Sequence, residues 1–154
     1  MLRLHDTAIG QVTELALREP GKVSMYVCGP TVYDVPHIGH GRFVLIWDVL
    51  RRYLEWRGYE VHFVSNITDI EDKIIKRSNE TGVPTTEIVA TYEKAWWDAM
   101  DRLGVLHPDA EPHATAYVDK MVDYINNLVD RGVAYETSDG VYFEVSKLAD
   151  YGLL

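Results

Sequence analysis

From Lys22 to Cys28 the chain reads KVSMYVC, a run dense in β-branched, aromatic and other apolar residues that predicts a strand. The segment PHIGHGRFVLIWDVLRRYLEWRG then sets Phe43, Ile46, Trp47, Leu50, Tyr53 and Leu54 at the spacing of one helix face, and Gly58 stops the helix. YEVHFVSNIT (Tyr59 to Thr68) is the next strand. A crossover of that length makes the two strands parallel and joined right-handedly, the start of a doubly wound α/β sheet.

Further along, DIEDKIIKRSNETG predicts a helix with acidic residues in its first turn and a glycine just past its end. Thr85 or Thr86 opens another helix that runs through EIVATYEKAWWDAMDRLG. Its neighbours Trp96 and Trp97 cannot share a face, so one belongs to the core and the other is partly exposed. LHPDAEPHAT is a proline-punctuated loop, AYVDKMVDYINNLVDRG a helix, and VAYETSDGVYFEV a hairpin turning around Asp139 and Gly140. Only two parallel strands are evident, against the five or six of an average sheet, so the sheet is expected to be incomplete. A fragment, or a shortened relative of something larger, is the expectation.

Composition narrows the classes of partner. With 154 residues and 47% hydrophobic content, the chain fits one globular domain with a real core. A net charge of −9 argues against broad, non-specific nucleic-acid binding. It leaves room for a small phosphorylated ligand held by oriented backbone amides. One cysteine excludes an internal disulfide, and neither a secretory leader nor a membrane-length apolar run is present, so a cytoplasmic location without membrane contact is expected.

The candidate chemistry lies in CGPTVYDVPHIGH, residues 28–40. Ligands of open α/β sheets bind beyond the carboxyl ends of the strands, where Cys28 and Gly29 fall and where the helix begins at His37 to His40. A helix N-terminus suits phosphate, two imidazoles add donors, and Gly39, without a Cβ, admits a flat base to the backbone. The segment is thus built for a nucleoside triphosphate. Plainer readings stand beside this one. Cys28 as a small buried hydrophobe, His37 as a helix start, His40 as a surface donor and Gly39 as a loosened turn would all fit the same letters. Asp69, Glu71 and Asp72 have the look of a divalent-cation cluster, but acidic residues at a helix start more often complement its dipole.

The string HIGH, preceded by MYVCGPTVYD and followed by DVLRRYL, NITDIEDKIIKR, HPDAEPHAT and the final hairpin, closely resembles the cysteinyl-tRNA synthetases, a family of class I aminoacyl-tRNA synthetases. The resemblance covers the whole chain, which corresponds to the N-terminal part of such a catalytic domain and ends near the hairpin at 133–145. It implies a Rossmann-like, HIGH-superfamily nucleotide-binding fold with a parallel sheet and flanking helices. It also implies activation of L-cysteine with ATP, accompanied by Mg, and transfer to tRNA(Cys), by a protein commonly monomeric. By that resemblance His37 and His40 are catalytic, His37, Ile38, Gly39 and His40 bind ATP, and Gly29 and Thr68 contact the substrate cysteine. Cys28 is then one zinc ligand, a thiolate site that tells cysteine from serine. For Thr68 an N-cap of the following helix is the competing role. His107 and His113 stand where the family pattern tends to have arginines, and metal binding is not expected there. The family's other zinc ligands and its KMSKS signature do not occur in these residues, so this polypeptide alone is expected to adenylate cysteine poorly or not at all. The alternatives are an inactive shortened paralogue serving as a binding or regulatory module, and the related cysteine ligase of mycothiol synthesis. A small nucleotidyltransferase of the same superfamily fits less well, because its usual approach to the motif is missing.

Overall fold

The computed structural model describes residues 2–152, which divide into two compact units. The larger, residues 17–116, is built on β3 (Lys22–Val27), α1 (Ile38–Trp56) and β4 (Glu60–Ser65). β3 and β4 pair in parallel from Lys22 opposite Glu60 to Val27 opposite Ser65. Pairing resumes beyond the strand ends, where Thr68 N donates to Pro30 O at 2.9 Å and Val32 N to Thr68 O at 3.2 Å. The expected strand, helix, strand unit is present, and it is followed by two helices, α2 (Asp72–Thr81) and α3 (Thr85–Arg102).

β3 buries Val23 and Val27 and exposes Lys22, Ser24 and Tyr26. That alternation belongs to a strand covered on one face, not to the apolar run of a parallel strand buried on both. The buried residues of this unit include Leu54 of α1, Phe63 of β4, Ile67, Ile74 of α2 and Met100 of α3. Trp96 is buried and Trp97 half-buried, as their adjacency requires.

Two expectations need correction. The segment assigned to a loop around Pro108 and Pro112 is a third parallel strand-like ladder on β4. Asp109 N donates to Phe63 O (2.8 Å), Ser65 N to Ala110 O (3.2 Å), Ile67 N to Pro112 O (2.9 Å) and Ala114 N to Ile67 O (3.0 Å). The prolines hide it: Pro112 faces the ladder and joins it only as an acceptor, through its carbonyl, so the pairing stays in short pieces without the run of a regular strand.

The face of α1 is also displaced. Its buried positions are Gly41, Asp48, Arg51 and Leu54, while Phe43 and Ile46 are exposed. Two charged residues sit inward because the 104–109 segment gives them partners. Asp48 accepts from Leu106 N (2.9 Å) and Arg52 Nε (2.7 Å), and Arg51 donates to His107 O (2.8 Å), Asp109 (3.0 Å) and Glu55 (2.9 Å). Asp109 in turn accepts from Phe63 N at 2.7 Å, tying helix, central strand and edge ladder together. Arg51→Met is expected to cost about 1 to 2 kcal/mol in urea unfolding, since it removes the donor of the His107 carbonyl and of the partly exposed Asp109 carboxylate.

The backbone bond from Phe63, aided by the Arg51 charge, holds the Asp109 carboxyl below its ordinary range. Its stabilisation is therefore complete above the unfolded value near pH 4 and disappears as pH falls through the lower folded value. The urea midpoint should fall less steeply on acidification in Asp109→Asn than in the parent. Equal slopes would remove Asp109 from the account.

The second unit joins residues 2–16 with 117–152. It contains the antiparallel pair β1 (Arg3–Asp6) and β2 (Gln11–Glu14), which the pattern analysis did not anticipate, then α4 (Val118–Asp130), β5 (Ala134–Thr137) and β6 (Gly140–Phe143). The β5–β6 hairpin turns through Ser138 and Asp139, with Gly140 as the first residue of β6, and Tyr135 stacks on Tyr142 across it.

Candidate active site

Helix α1 begins with an unusual cap. His37 is the N-cap, in extended backbone, and its Nδ1 accepts from Gly39 N at 3.1 Å. His40, three residues on, returns the bond by accepting from His37 N at 3.1 Å through its own Nδ1. The pair forms a capping box made of imidazoles, where Ser or Thr with Glu is customary. An Nδ1 that accepts carries no proton, so each ring is held as the neutral Nε2–H tautomer. The rings stack, with centroids 3.9 Å apart, and the edge of Trp96 meets His40 at 5.8 Å. Burial, and then repulsion from His37 whenever that ring takes up a proton, pushes the His40 imidazole below its ordinary value, which favours the neutral form of His40.

Gly39 also serves the cap itself. A Cβ there would lie 2.8 Å from Cε1 and 3.0 Å from Nδ1 of His37, so its absence makes room for the capping ring itself. No acidic residue occupies the first turn of α1, and His37 and Ile38 are exposed. Two Nε2–H donors thus accompany the positive end of a 19-residue helix. His37, Ile38 and Gly41 also border an open groove of about 930 Å³ walled by Leu45, Val49 and Leu103.

The second cluster sits at the carboxyl ends of β3 and β4. Cys28 directly follows β3 and is exposed, which sets aside the reading of a buried small hydrophobe. Gly29 packs so closely on the next strand that a Cβ would fall 1.5 Å from the carbonyl oxygen of Asn66. Asn66 links the residues around it. Its Oδ1 accepts from Gly29 N (3.0 Å) and Tyr26 Oη (2.9 Å), and its Nδ2 donates to Thr68 Oγ1 (3.1 Å). Gly29 and Thr68, predicted separately, are therefore held together by a residue the sequence analysis passed over. The only signal for it was an amide-bearing side chain at the end of a strand whose neighbours were already candidates.

Thr68 is not a helix cap. Glu71 caps α2, accepting from Lys73 N at 2.6 Å, so of the three acidic residues only Asp72 lies in the first turn. Asp69 instead binds the backbone N–H of Thr115 at 2.9 Å and its hydroxyl. His113 pairs with Glu93 at 3.0 Å; burial opposes its charge, but the Glu93 bond and the nearby carboxylates raise its affinity for a proton. His107 stacks on Trp97 and pairs with Asp101 at 2.9 Å. Burial raises the Glu111 carboxyl, which receives the indole N–H of Trp97 at 3.3 Å. These are structural partners of α3 and the edge ladder.

No group of three metal-ligating side chains occurs among the described residues. Cys28 supplies one soft donor, and a tetrahedral zinc needs more, so these residues do not by themselves fit that ion.

The chain joins a glycine-tight strand end to a helix start capped by two imidazoles on a parallel α/β unit, and it is a class I aminoacyl-tRNA synthetase family that its sequence matches. Residues 14–154 match the family described as tRNA synthetases class I (C), catalytic domain, and the chain belongs to that family. It is similar to a cysteine--tRNA ligase of Pyrococcus furiosus, with 47% identity over all of this chain and 32% of that protein. A cysteine--tRNA ligase of Anaeromyxobacter sp. strain K is 46% identical over 99% of this chain and 32% of its own length. The chain thus spans about a third of the curated relatives it matches. Among solved structures, the fold resembles a LeuRS of Agrobacterium radiobacter in ternary complex with tRNA and LeuAMS, with a TM-score of 0.66 and 22% identity over 77% of this chain and 16% of that one. It also resembles the methionyl-tRNA synthetase of Mycobacterium tuberculosis in complex with methionyl-adenylate, with a TM-score of 0.63 and 19% identity over 73% of this chain and 23% of that one. The α/β, Rossmann-like class expected from the sequence is the class observed.

Proposed function

We propose that this chain supplies the nucleotide and amino-acid ends of a site that activates L-cysteine with ATP and passes it to tRNA(Cys). In the first step a carboxylate oxygen of cysteine attacks the α-phosphorus, forming cysteinyl-adenylate as the α–β phosphoanhydride bond breaks and pyrophosphate leaves with Mg. In the second, the terminal ribose hydroxyl of tRNA attacks the acyl carbon and AMP leaves. The observation that carries the reading is the imidazole capping box, whose two Nε2–H groups meet negative charge without having to lose or gain a proton. Phosphoryl transfer asks little of a protein except positioning and charge stabilisation, and preorganised donors supply both.

The identity to cysteine--tRNA ligases supports cysteine as the amino acid. Gly29 and Thr68 border it in this reading, and Cys28 is the one donor this chain contributes toward a zinc whose other ligands come from outside these 154 residues. The test is ATP–pyrophosphate exchange by the full natural polypeptide that carries these residues. Exchange is expected with L-cysteine and not with L-serine. Exchange driven equally by both, or by neither, would refute the reading.

A further inference from the structure

We propose that Asn66 is a positioning residue that fixes the polarity of Thr68, turning its hydroxyl into a hydrogen-bond donor aimed at an acceptor atom of the bound amino acid. The inference rests on the cysteine-activating reading above. Its starting point is a backbone N–H, which can only donate. Gly29 N lies 3.0 Å from one end of the Asn66 amide, so that end must be oxygen. Tyr26 Oη, at 2.9 Å, converges on the same atom and is consistent with donating to it.

The other end of the amide is then nitrogen, and it donates to Thr68 Oγ1 at 3.1 Å. Thr68 receives that bond on a lone pair and, among the described residues, makes no bond that uses its own proton. The hydroxyl hydrogen is left to point elsewhere, toward whatever Thr68 faces. A carboxylate or a thiolate satisfies it, whereas an ammonium group brings another donor. The constraint passes along four groups: the glycine amide sets the asparagine, the asparagine sets the threonine, and the threonine selects an acceptor on the ligand. Gly29 cannot withdraw from this chain, because it is pressed against the Asn66 backbone itself.

Two substitutions separate this role from simple support of the strand ends. Asn66→Asp keeps size and both bonds to Oδ1, but presents oxygen to Thr68 and so captures the proton. Asn66→Ala removes the side chain and merely releases that proton. If Asn66 only supports structure, the isosteric aspartate is the milder change. If it sets polarity, aspartate is the harsher one.

In the full natural polypeptide, cysteine-dependent exchange is expected to show a KM for cysteine raised roughly tenfold or more by Asn66→Asp, the cost of losing one hydrogen bond to a charged group. Asn66→Ala should raise it less, and the KM for ATP should stay within about twofold in both, as expected of a group that touches only the amino-acid side of the site. In a Thr68→Val background the Asn66→Asp effect should vanish, because partners that act through one another are not additive. Should the aspartate variant fail to fold, the alanine variant in the Thr68→Val cycle gives the same decision. Aspartate milder than alanine, a parallel rise in the KM for ATP, or losses that multiply in the double variant would each overturn the proposal. A parent polypeptide without cysteine-dependent exchange overturns the cysteine-activating reading as well.

Discussion

Replacing His40 by alanine is expected to lower cysteine-dependent ATP–pyrophosphate exchange about 100- to 1,000-fold, the loss typical of removing one preorganised donor from developing oxyanion charge. The size follows from what His40 does twice over. Its Nε2–H is one of two donors offered at the start of α1, and its Nδ1 holds the backbone N–H of His37, whose ring it also stacks against. Without His40 the His37 ring loses its stacking partner, so the second donor is misplaced as well. The folding cost is small by comparison, about 1 kcal/mol for a lost cap. The two effects separate cleanly if thermal unfolding is measured beside kcat.

The pH dependence carries the same sign. Since burial, and repulsion from His37 whenever that ring is charged, hold the His40 proton affinity down, the His40 ring stays neutral further into acid than an ordinary imidazole. Protonating either Nδ1 would break its acceptor role in the capping box. A kcat that falls less than tenfold in His40→Ala would exclude the histidine pair from the chemistry.

Gly29→Ala is expected to be the most damaging single methyl addition in the chain. Its Cβ would stand 1.5 Å from the carbonyl oxygen and 2.7 Å from the carbonyl carbon of Asn66, and backbone cannot turn aside as a side chain can. Relief requires β3 and β4 to part where Thr68 N meets Pro30 O and Val32 N meets Thr68 O. A cost of about 3 to 5 kcal/mol is expected, at or above the upper end for overpacking. The same change at Gly58, which meets nothing within 4 Å and pays only for its positive φ of 86°, should cost about 1 kcal/mol. Comparable urea midpoints for the two variants would contradict the packing described at the strand ends.

The sequence disclosed what depends on local spacing. The β3–α1–β4 unit, the left-handed Gly82 after α2 and the histidine-framed helix start were all legible, because strand composition, helix period and glycine stops are short-range signals. What it hid depends on partners far along the chain. Asp48 and Arg51 stand outside the expected apolar face of α1 and are buried, since Leu106, His107 and Asp109 reach them across more than fifty positions. The edge ladder at 109–114 was masked by two prolines, whose turn preference was outweighed by the open side of β4. In the site, the letters named His37, His40, Cys28, Gly29 and Thr68, but bonding direction was invisible to them. That Gly39 yields space to His37, and that Asn66 joins Gly29 to Thr68, are facts of three-dimensional approach with no periodic signature.

The central claim is that these residues serve cysteine activation for tRNA, and transfer of labelled cysteine by the full natural polypeptide tests it most directly. Supplied with ATP, Mg and labelled L-cysteine, it is predicted to esterify the 3′ end of tRNA(Cys), to lose that activity in His40→Ala, and to leave an amino-sugar acceptor unmodified. Label appearing on the amino sugar and not on the tRNA, or on neither, would contradict the account.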